Sequence, residues 1–317
     1  MSTTTDAVSR RQFLKSLFAV YAALALPRAL WAGDGAGNFR AVYGDAKEKD
    51  RFYWFLQEVF RVYPEKEFHL LLSDVTKEKA TDREIYEEVQ RRLPGIKPLL
   101  GDVTYGLPAL KKQKDEMSRQ TMELLGLGAK ADGYMEIGSP ARYLSRLRKT
   151  VALRGPVWVL NDLKPTYGPI DVAERGRLRK MGKFIPMGDY DEFAGAKVPE
   201  ASLDLVVNMI GLHHAPPAKL DGFVSSIKRV LRPGGKLVLR DHDAGTPKKD
   251  VFVALAHDVF NAGVKLTWAE NDAQLRHFRS YRDWTALLEA RGFKRQEKLL
   301  AQDHDPTDNL LSCFVRV

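Results

Sequence analysis

Nine positions in the second half of the chain could do chemistry together: Glu136, Gly138, Asp162, Asp189, Asn208, His213, His214, Asp241 and His242. Each closes or follows an apolar run, so in a sheet of parallel strands they would meet at the carboxyl rim, where α/β folds bind ligands. Gly138 lets backbone come close to a ligand. Asp162 follows it by roughly the twenty positions at which a carboxylate can bond ribose hydroxyls, with a plain turn residue as the alternative. His213 and His214 are candidate general bases, because imidazole titrates near neutral pH, though a purely structural role is open to them too. Asp241 and His242 could pair as orienting acid and base, or could close the sheet end on backbone amides. His213, His214, His242 and Asp243 could also be read as metal ligands. Neighbours along a strand point to opposite faces, however, so no metal site is expected.

The elements that must position these groups follow from hydrophobic periodicity. Residues 134–137, 157–160, 184–187, 203–208 and 236–240 read as buried strands, and 294–300 with 310–315 as a closing antiparallel pair. Between them, residues 141–149, 172–181, 220–231, 251–262 and 281–291 carry helical spacing. Alternation of this kind predicts an α/β fold: a Rossmann-like, seven-stranded, mostly parallel sheet with an antiparallel C-terminal hairpin. A helical N-terminal segment precedes it, with helices over 51–63, over 81–93 behind a Thr81/Glu84 capping box, and over 110–125. A loop over 94–108 is expected to wrap one edge. Trp268, Phe278 and Tyr281 are candidate walls of an acceptor pocket, or simply core.

Several of these stretches resemble class I S-adenosylmethionine-dependent methyltransferases of the type 11 kind. They are Glu136-Ile137-Gly138, Asp162, Gly188-Asp189, Leu203-Asp204-Leu205-Val206 with Leu212-His213-His214, and Lys228-Arg229-Val230-Leu231-Arg232-Pro233-Gly234-Gly235-Lys236-Leu237. The segment from Trp284 to Phe293 resembles the one before that family's final hairpin. The resemblance implies S-adenosylmethionine as cofactor: Glu136 and Gly138 beside its amino-acid end, Asp162 on the ribose, Asp189 on the adenine amine, and residues 207–211, Asn208 among them, along the methyl-donor slot. It implies methyl transfer to a small-molecule acceptor. The first bend departs from the family, with Ser139-Pro140-Ala141 where further glycines usually stand. That departure motivates an alternative, a non-catalytic binding or accessory protein that keeps the fold. It weighs more heavily against nicotinamide binding, which needs bare backbone at three spaced positions.

The N-terminus reads as an address. Ser9-Arg10-Arg11-Gln12-Phe13-Leu14-Lys15 precedes a short apolar run to Leu26, which resembles a twin-arginine export signal. The run is too short to span a bilayer comfortably. The expectation is export to the periplasm through the twin-arginine translocation machinery, or a membrane tether if the segment around Leu30-Trp31-Ala32 is not cut. The division expected is therefore a signal segment over 1–33, a helical segment or lid over 34–130, and the methyltransferase-like domain over 131–317. The formal charge of +9 is scattered, with no basic run that would suggest nucleic acid. The lone Cys313 excludes an intramolecular disulfide and a thiolate metal cage, and its apolar surroundings predict a core residue.

Overall fold

The computed structural model describes residues 37–60, 63–96, 106–195 and 197–317. The expected export segment, and most of the expected loop over 94–108, lie outside them. Seven strands form one sheet: β1 (Lys130–Ile137), β2 (Ala152–Asn161), β3 (Lys183–Pro186), β4 (Leu203–Met209), β5 (Leu231–His242), β6 (Phe293–Ala301) and β7 (Asn309–Arg316). Their spatial order is β3-β2-β1-β4-β5-β7-β6. The first five are parallel, and β7 runs antiparallel between β5 and β6. The expected Rossmann-like class and C-terminal hairpin are therefore present. Strand order reverses between β1 and β4, which places the ligand crevice of this architecture beyond their carboxyl ends.

Burial explains why the central strands read as unbroken apolar runs. Tyr134, Met135, Leu205, Val206 and Val207 are all buried, because both faces of a parallel sheet are covered. On one face α5 (Leu107–Leu125) brings Met117 and Leu124 against Tyr134, Val207 and Cys313. On the other, α8 (Pro217–Val230) and α11 (Tyr281–Glu289) bring Phe223, Ile227, Trp284 and Leu288 against Met135, Val206 and Phe314. Burial raises the Cys313 thiol to about 11, so it is core material, as expected.

Among the described residues the N-terminal helices are α1 (Asn38–Tyr43), α2 (Ala46–Phe55), which continues into a π turn at Leu56–Phe60, α3 (Glu65–Glu78) and α4 (Asp82–Ile96). The predicted capping box is present: Thr81 Oγ1 accepts from the Glu84 amide at 3.2 Å, and Glu84 Oε2 accepts from the Thr81 amide at 3.0 Å. The helix runs on through Pro94 rather than stopping before it. These four helices do not close a core by themselves. They share one with α9 (Pro247–Gly263), which follows β5: Phe52 packs on Phe252 with ring centroids 5.4 Å apart, and Phe60 on Phe260 at 6.0 Å. Tyr63 Oη donates to the Gly263 carbonyl and Tyr86 Oη to the Leu266 carbonyl, each at 2.8 Å. Trp268, at the start of α10 (Trp268–Asp272), packs on Tyr86 in this cap, and Tyr281 lies in the sheet core, so neither lines a pocket as an acceptor wall would.

Other boundaries shifted for identifiable reasons. The helix expected over 141–149 is the four-residue α6 (Leu144–Leu147), because Ala141 sits at φ 68, a left-handed conformation that no helix interior adopts. The helix expected over 172–181 is α7 (Pro169–Arg175), closed by Gly176 at φ 68. Gly133 inside β1 marks a shift in register with β2 and has φ 88. A Cβ there would stand 2.4 Å from the Ser202 carbonyl oxygen. Gly133→Ala combines a backbone clash with left-handed strain, and we expect it to lower unfolding free energy by about 2–4 kcal/mol in urea titrations.

Candidate active site at the carboxyl rim

β2 delivers Asp162 one residue past its end, and β3 delivers Asp189 through a tight turn in which Asp189 (φ 54) and Tyr190 (φ 62) are both left-handed. Tyr190 Oη reaches across the rim and donates to the Gly211 carbonyl at 2.5 Å, tying the β3 turn to the loop after β4. Asp162 Oδ2 is buried without a hydrogen-bond partner. Burial first, and the Asp189 carboxylate second, push the Asp162 pKa up to about 6. The two acids predicted for one ligand therefore feel each other's field. Asp189 is half-exposed and already paired, accepting from Lys219 Nζ at 3.2 Å. A cofactor amine there would share it with that lysine.

Glu136 is placed differently from expectation. It is fully buried, and four donors of its own chain occupy its oxygens: Tyr134 Oη at 2.8 Å, Ser139 Oγ, and the Tyr143 and Leu144 amides at 3.1 Å each. The carboxylate pins the bend after β1 and opens α6, and it has no lone pair left for a ligand. Behind the bend lies a second buried polar set that sequence reasoning missed. Arg142 Nε donates to Glu174 Oε2 at 2.5 Å, and Lys114 Nζ donates to the Glu174 carbonyl at 2.5 Å, so charges from α5, the bend and α7 interlock. Burial lowers the Lys114 pKa to about 8. No motif announced this set, since each member sits alone on an amphipathic segment.

At the ends of β4 and β5 the remaining predicted residues do converge. Asn208 is buried, with Oδ1 unpartnered. After it, Ile210 (φ 80) and Gly211 (φ 133) turn the chain into one 3-10 turn, Leu212–His214. On that turn the two imidazoles do not diverge as strand neighbours would; their centroids are 4.1 Å apart. Asp241 Oδ1 accepts from His213 Nδ1 at 2.7 Å and from the His242 amide at 2.8 Å, so it bonds backbone, the second of the two expectations for it, and takes its imidazole partner from across the rim. The Leu275 carbonyl accepts from His214 Nδ1 at 2.6 Å. His257 of α9, which sequence reasoning missed, brings its Nε2 to 3.3 Å from His242 Nε2. Phe278 lies against His213, His242 and His257, with centroids 5.2 to 5.6 Å away. That is the one aromatic of the predicted three that stands at the rim.

Burial decides the charge state of this cluster. It lowers the pKa of His213 and of His242 to about 3, and takes His214 and His257 well below the ordinary imidazole range. All four are neutral at pH 7. A base so weak removes a proton inefficiently; a neutral imidazole with a free lone pair is instead an acceptor or a ligand. At the opposite, amino-terminal rim a groove of about 290 Å³ is lined by residues such as Lys130, Asp204 and Arg232. It is remote from every group named above.

Residues 174–239, from the end of α7 into β5, match the methyltransferase domain family. The match takes in Asp189, Asn208, His213 and His214 and leaves out the remodelled first bend. Solved structures similar to the chain include the 1,6-didemethyltoxoflavin-N1-methyltransferase of Burkholderia thailandensis with bound 1,6-didemethyltoxoflavin and S-adenosylhomocysteine, at 13% identity and a TM-score of 0.43, over 80% of this chain and 90% of that one. The N-methyltransferase NodS of Bradyrhizobium japonicum with S-adenosylhomocysteine is 15% identical, with a TM-score of 0.42 over 73% of this chain and 97% of that one. An S-adenosylmethionine-dependent methyltransferase of Mesorhizobium loti is 15% identical, with a TM-score of 0.44 over 65% and 100%. No curated protein matches the chain.

Proposed function

We propose that this protein is an S-adenosylmethionine-dependent methyltransferase acting on a small-molecule acceptor. The observation that carries the reading is a set of buried polar atoms without protein partners at the strand ends flanking the switch point: Asp162 Oδ2, Asn208 Oδ1, His213 Nε2, His214 Nε2 and Asp241 Oδ2. Each such atom costs on the order of 1–3 kcal/mol, and a row of them at the ligand rim of this fold is accounted for by a ligand that completes them. The methyltransferase-domain match over residues 174–239 supports methyl transfer as the chemistry.

The residues fit the cofactor unevenly. Asp162 has the open oxygen that a ribose diol requires, and Gly211 keeps space open, with only Tyr190 Oη near a Cβ position there, at 3.7 Å. The amino-acid end finds no free carboxylate at Glu136, so its ammonium and carboxylate must be met by backbone of the bend and by Asn208. When bound, the cofactor supplies an electrophilic methyl group. The chain's own part is to hold the diol at Asp162, to exclude water with Ile210, Leu212 and Phe278, and to orient an acceptor by hydrogen bonds to neutral imidazoles. Positioning of this kind can supply most of the acceleration of an in-line displacement.

The test is calorimetric titration of the full chain with S-adenosylmethionine and S-adenosylhomocysteine, followed by transfer of labelled methyl to a panel of small nucleophiles. Binding without transfer to any acceptor would favour the accessory alternative, and no binding of either nucleoside would overturn the reading. We further propose that the Arg10-Arg11 segment directs export of the folded chain, or tethers it if uncut. Among the described residues no helix is long and apolar enough to cross a membrane. Arg10→Lys with Arg11→Lys is expected to leave a reporter fusion in the cytoplasm, and unchanged export would refute that part.

A further inference from the structure

We propose that His213, His214 and His257 form a binding site for a late first-row divalent metal ion of the Zn²⁺ class. One ring nitrogen from each of the first three lies within 4.8 Å of the other two, and all three side chains are buried. The site shares the rim of the proposed methyl transfer, and a metal would take the His213 and His214 Nε2 lone pairs otherwise left to the acceptor.

Three features separate this cluster from histidines that merely fill a core. First, the hydrogen bonds fix the tautomers. The Leu275 carbonyl can only accept, so His214 Nδ1 must carry the proton; the Asp241 carboxylate imposes the same on His213 Nδ1. Both Nε2 atoms are therefore lone-pair donors, and both are buried with no partner. Second, the partners of the Nδ1 atoms are a carboxylate and a backbone carbonyl, the outer-shell groups that orient metal-ligating histidines and raise their basicity. Third, the rings arrive from independent elements. His213 and His214 come on the turn after β4, His242 ends β5 and His257 comes from α9, so the cluster is held by the sheet on one side and the cap on the other.

Tetrahedral zinc with Zn–N of about 2.0–2.1 Å needs nitrogens about 3.3–3.4 Å apart. His257 Nε2 lies 3.3 Å from His242 Nε2, a hydrogen bond whose proton sits on one of the two rings. The 4.8 Å limit on His213, His214 and His257 leaves them to close by at most about 1.5 Å. The donor set is all imidazole, which suits Zn²⁺, Cu²⁺ or Ni²⁺ and disfavours Mg²⁺ and Ca²⁺. An ion here would be next to the loop that follows Asn208, where it could fix an anionic oxygen or sulfur of the acceptor.

The experiment uses the full chain, purified without a histidine tag or chelator, with metal content measured by mass spectrometry and Co²⁺ titrated as a spectroscopic probe. We expect close to one equivalent of zinc-class metal per chain and visible d–d bands with Co²⁺. His257→Gln and His213→Gln should weaken Co²⁺ binding by 100-fold or more, and Asp241→Asn by about 10- to 100-fold. His304→Gln, on the exposed surface, should bind Co²⁺ as wild type does. Wild-type chain that takes up neither zinc nor Co²⁺ overturns the proposal, and so do cluster variants that bind Co²⁺ undiminished. The wild-type measurement stands even where a variant does not fold. None of these readouts passes through methyl transfer, so failure here leaves the proposed activity intact, and the converse holds.

Discussion

Asp162→Ala is expected to weaken S-adenosylmethionine binding by about 10- to 100-fold while making the ligand-free protein more stable at pH 7. The affinity loss follows from removing a charged acceptor of two hydroxyl hydrogen bonds, on the order of 1.5–3 kcal/mol. The stability gain follows from the carboxyl's raised pKa of about 6, against its ordinary 3.8. Below pH 4 the group is protonated in both folded and unfolded chains and costs nothing. Between about 4 and 6 the unfolded chain releases the proton and the folded chain keeps it, so stability falls as pH rises. Above 6 the folded protein carries the full penalty of a buried carboxylate facing Asp189. Ligand hydroxyls reverse this by favouring the charged form, so wild-type affinity should climb from pH 5 to pH 7 and the variant's should stay flat. Calorimetry across that range, paired with thermal melts of the free proteins, checks both halves. A variant that loses affinity and stability together would mean that Asp162 is a structural turn residue.

Glu136→Ala should be the most destabilising single substitution at the rim, by about 4 kcal/mol or more. It strands two hydroxyls and two amides in a fully buried place and leaves a cavity under the bend. Each stranded group costs on the order of 1–3 kcal/mol, and only partial relaxation is available between β1 and α6. Glu136→Gln should fall between wild type and alanine, because an amide keeps one accepting oxygen and turns the other site into a donor that faces donors. Urea denaturation followed by circular dichroism measures both. A loss below about 1 kcal/mol for the alanine variant would show that water reaches these donors and that the bend opens enough for Glu136 to serve a ligand.

The sheet was legible in the sequence because its central strands are apolar on both faces, and the strand ends announced themselves by the change from Val, Leu and Ile to Asp, Asn and His. The bend after β1 was harder to read. Gly138 followed by Ser139-Pro140-Ala141 looks like the start of a long helix, and what prevents one is the left-handed conformation of Ala141, in a bend closed by Glu136 on the Tyr143 and Leu144 amides. Helix α3 escaped notice although Phe68, Leu72 and Val75 occupy one face, because Glu65, Lys66, Lys77 and Glu78 at its ends dilute the pattern. His213, His214, Asp241 and His242 were visible as strand-end residues. Their convergence was not, since the turn that folds His213 and His214 to one side depends on Gly211, and His257 comes from a helix whose position no local spacing reveals.

The shared core of α1–α4 and α9 bears on synthesis. Tyr86 and its acceptor at Leu266 are separated by 180 residues, so α1–α4 leave the ribosome long before the segment they pack against has been translated. Phe52, Phe60 and Phe68 stay uncovered throughout that interval, a condition that invites aggregation and favours chaperone binding to the nascent chain. Truncation anywhere before α9 would consequently yield a product with that aromatic surface open.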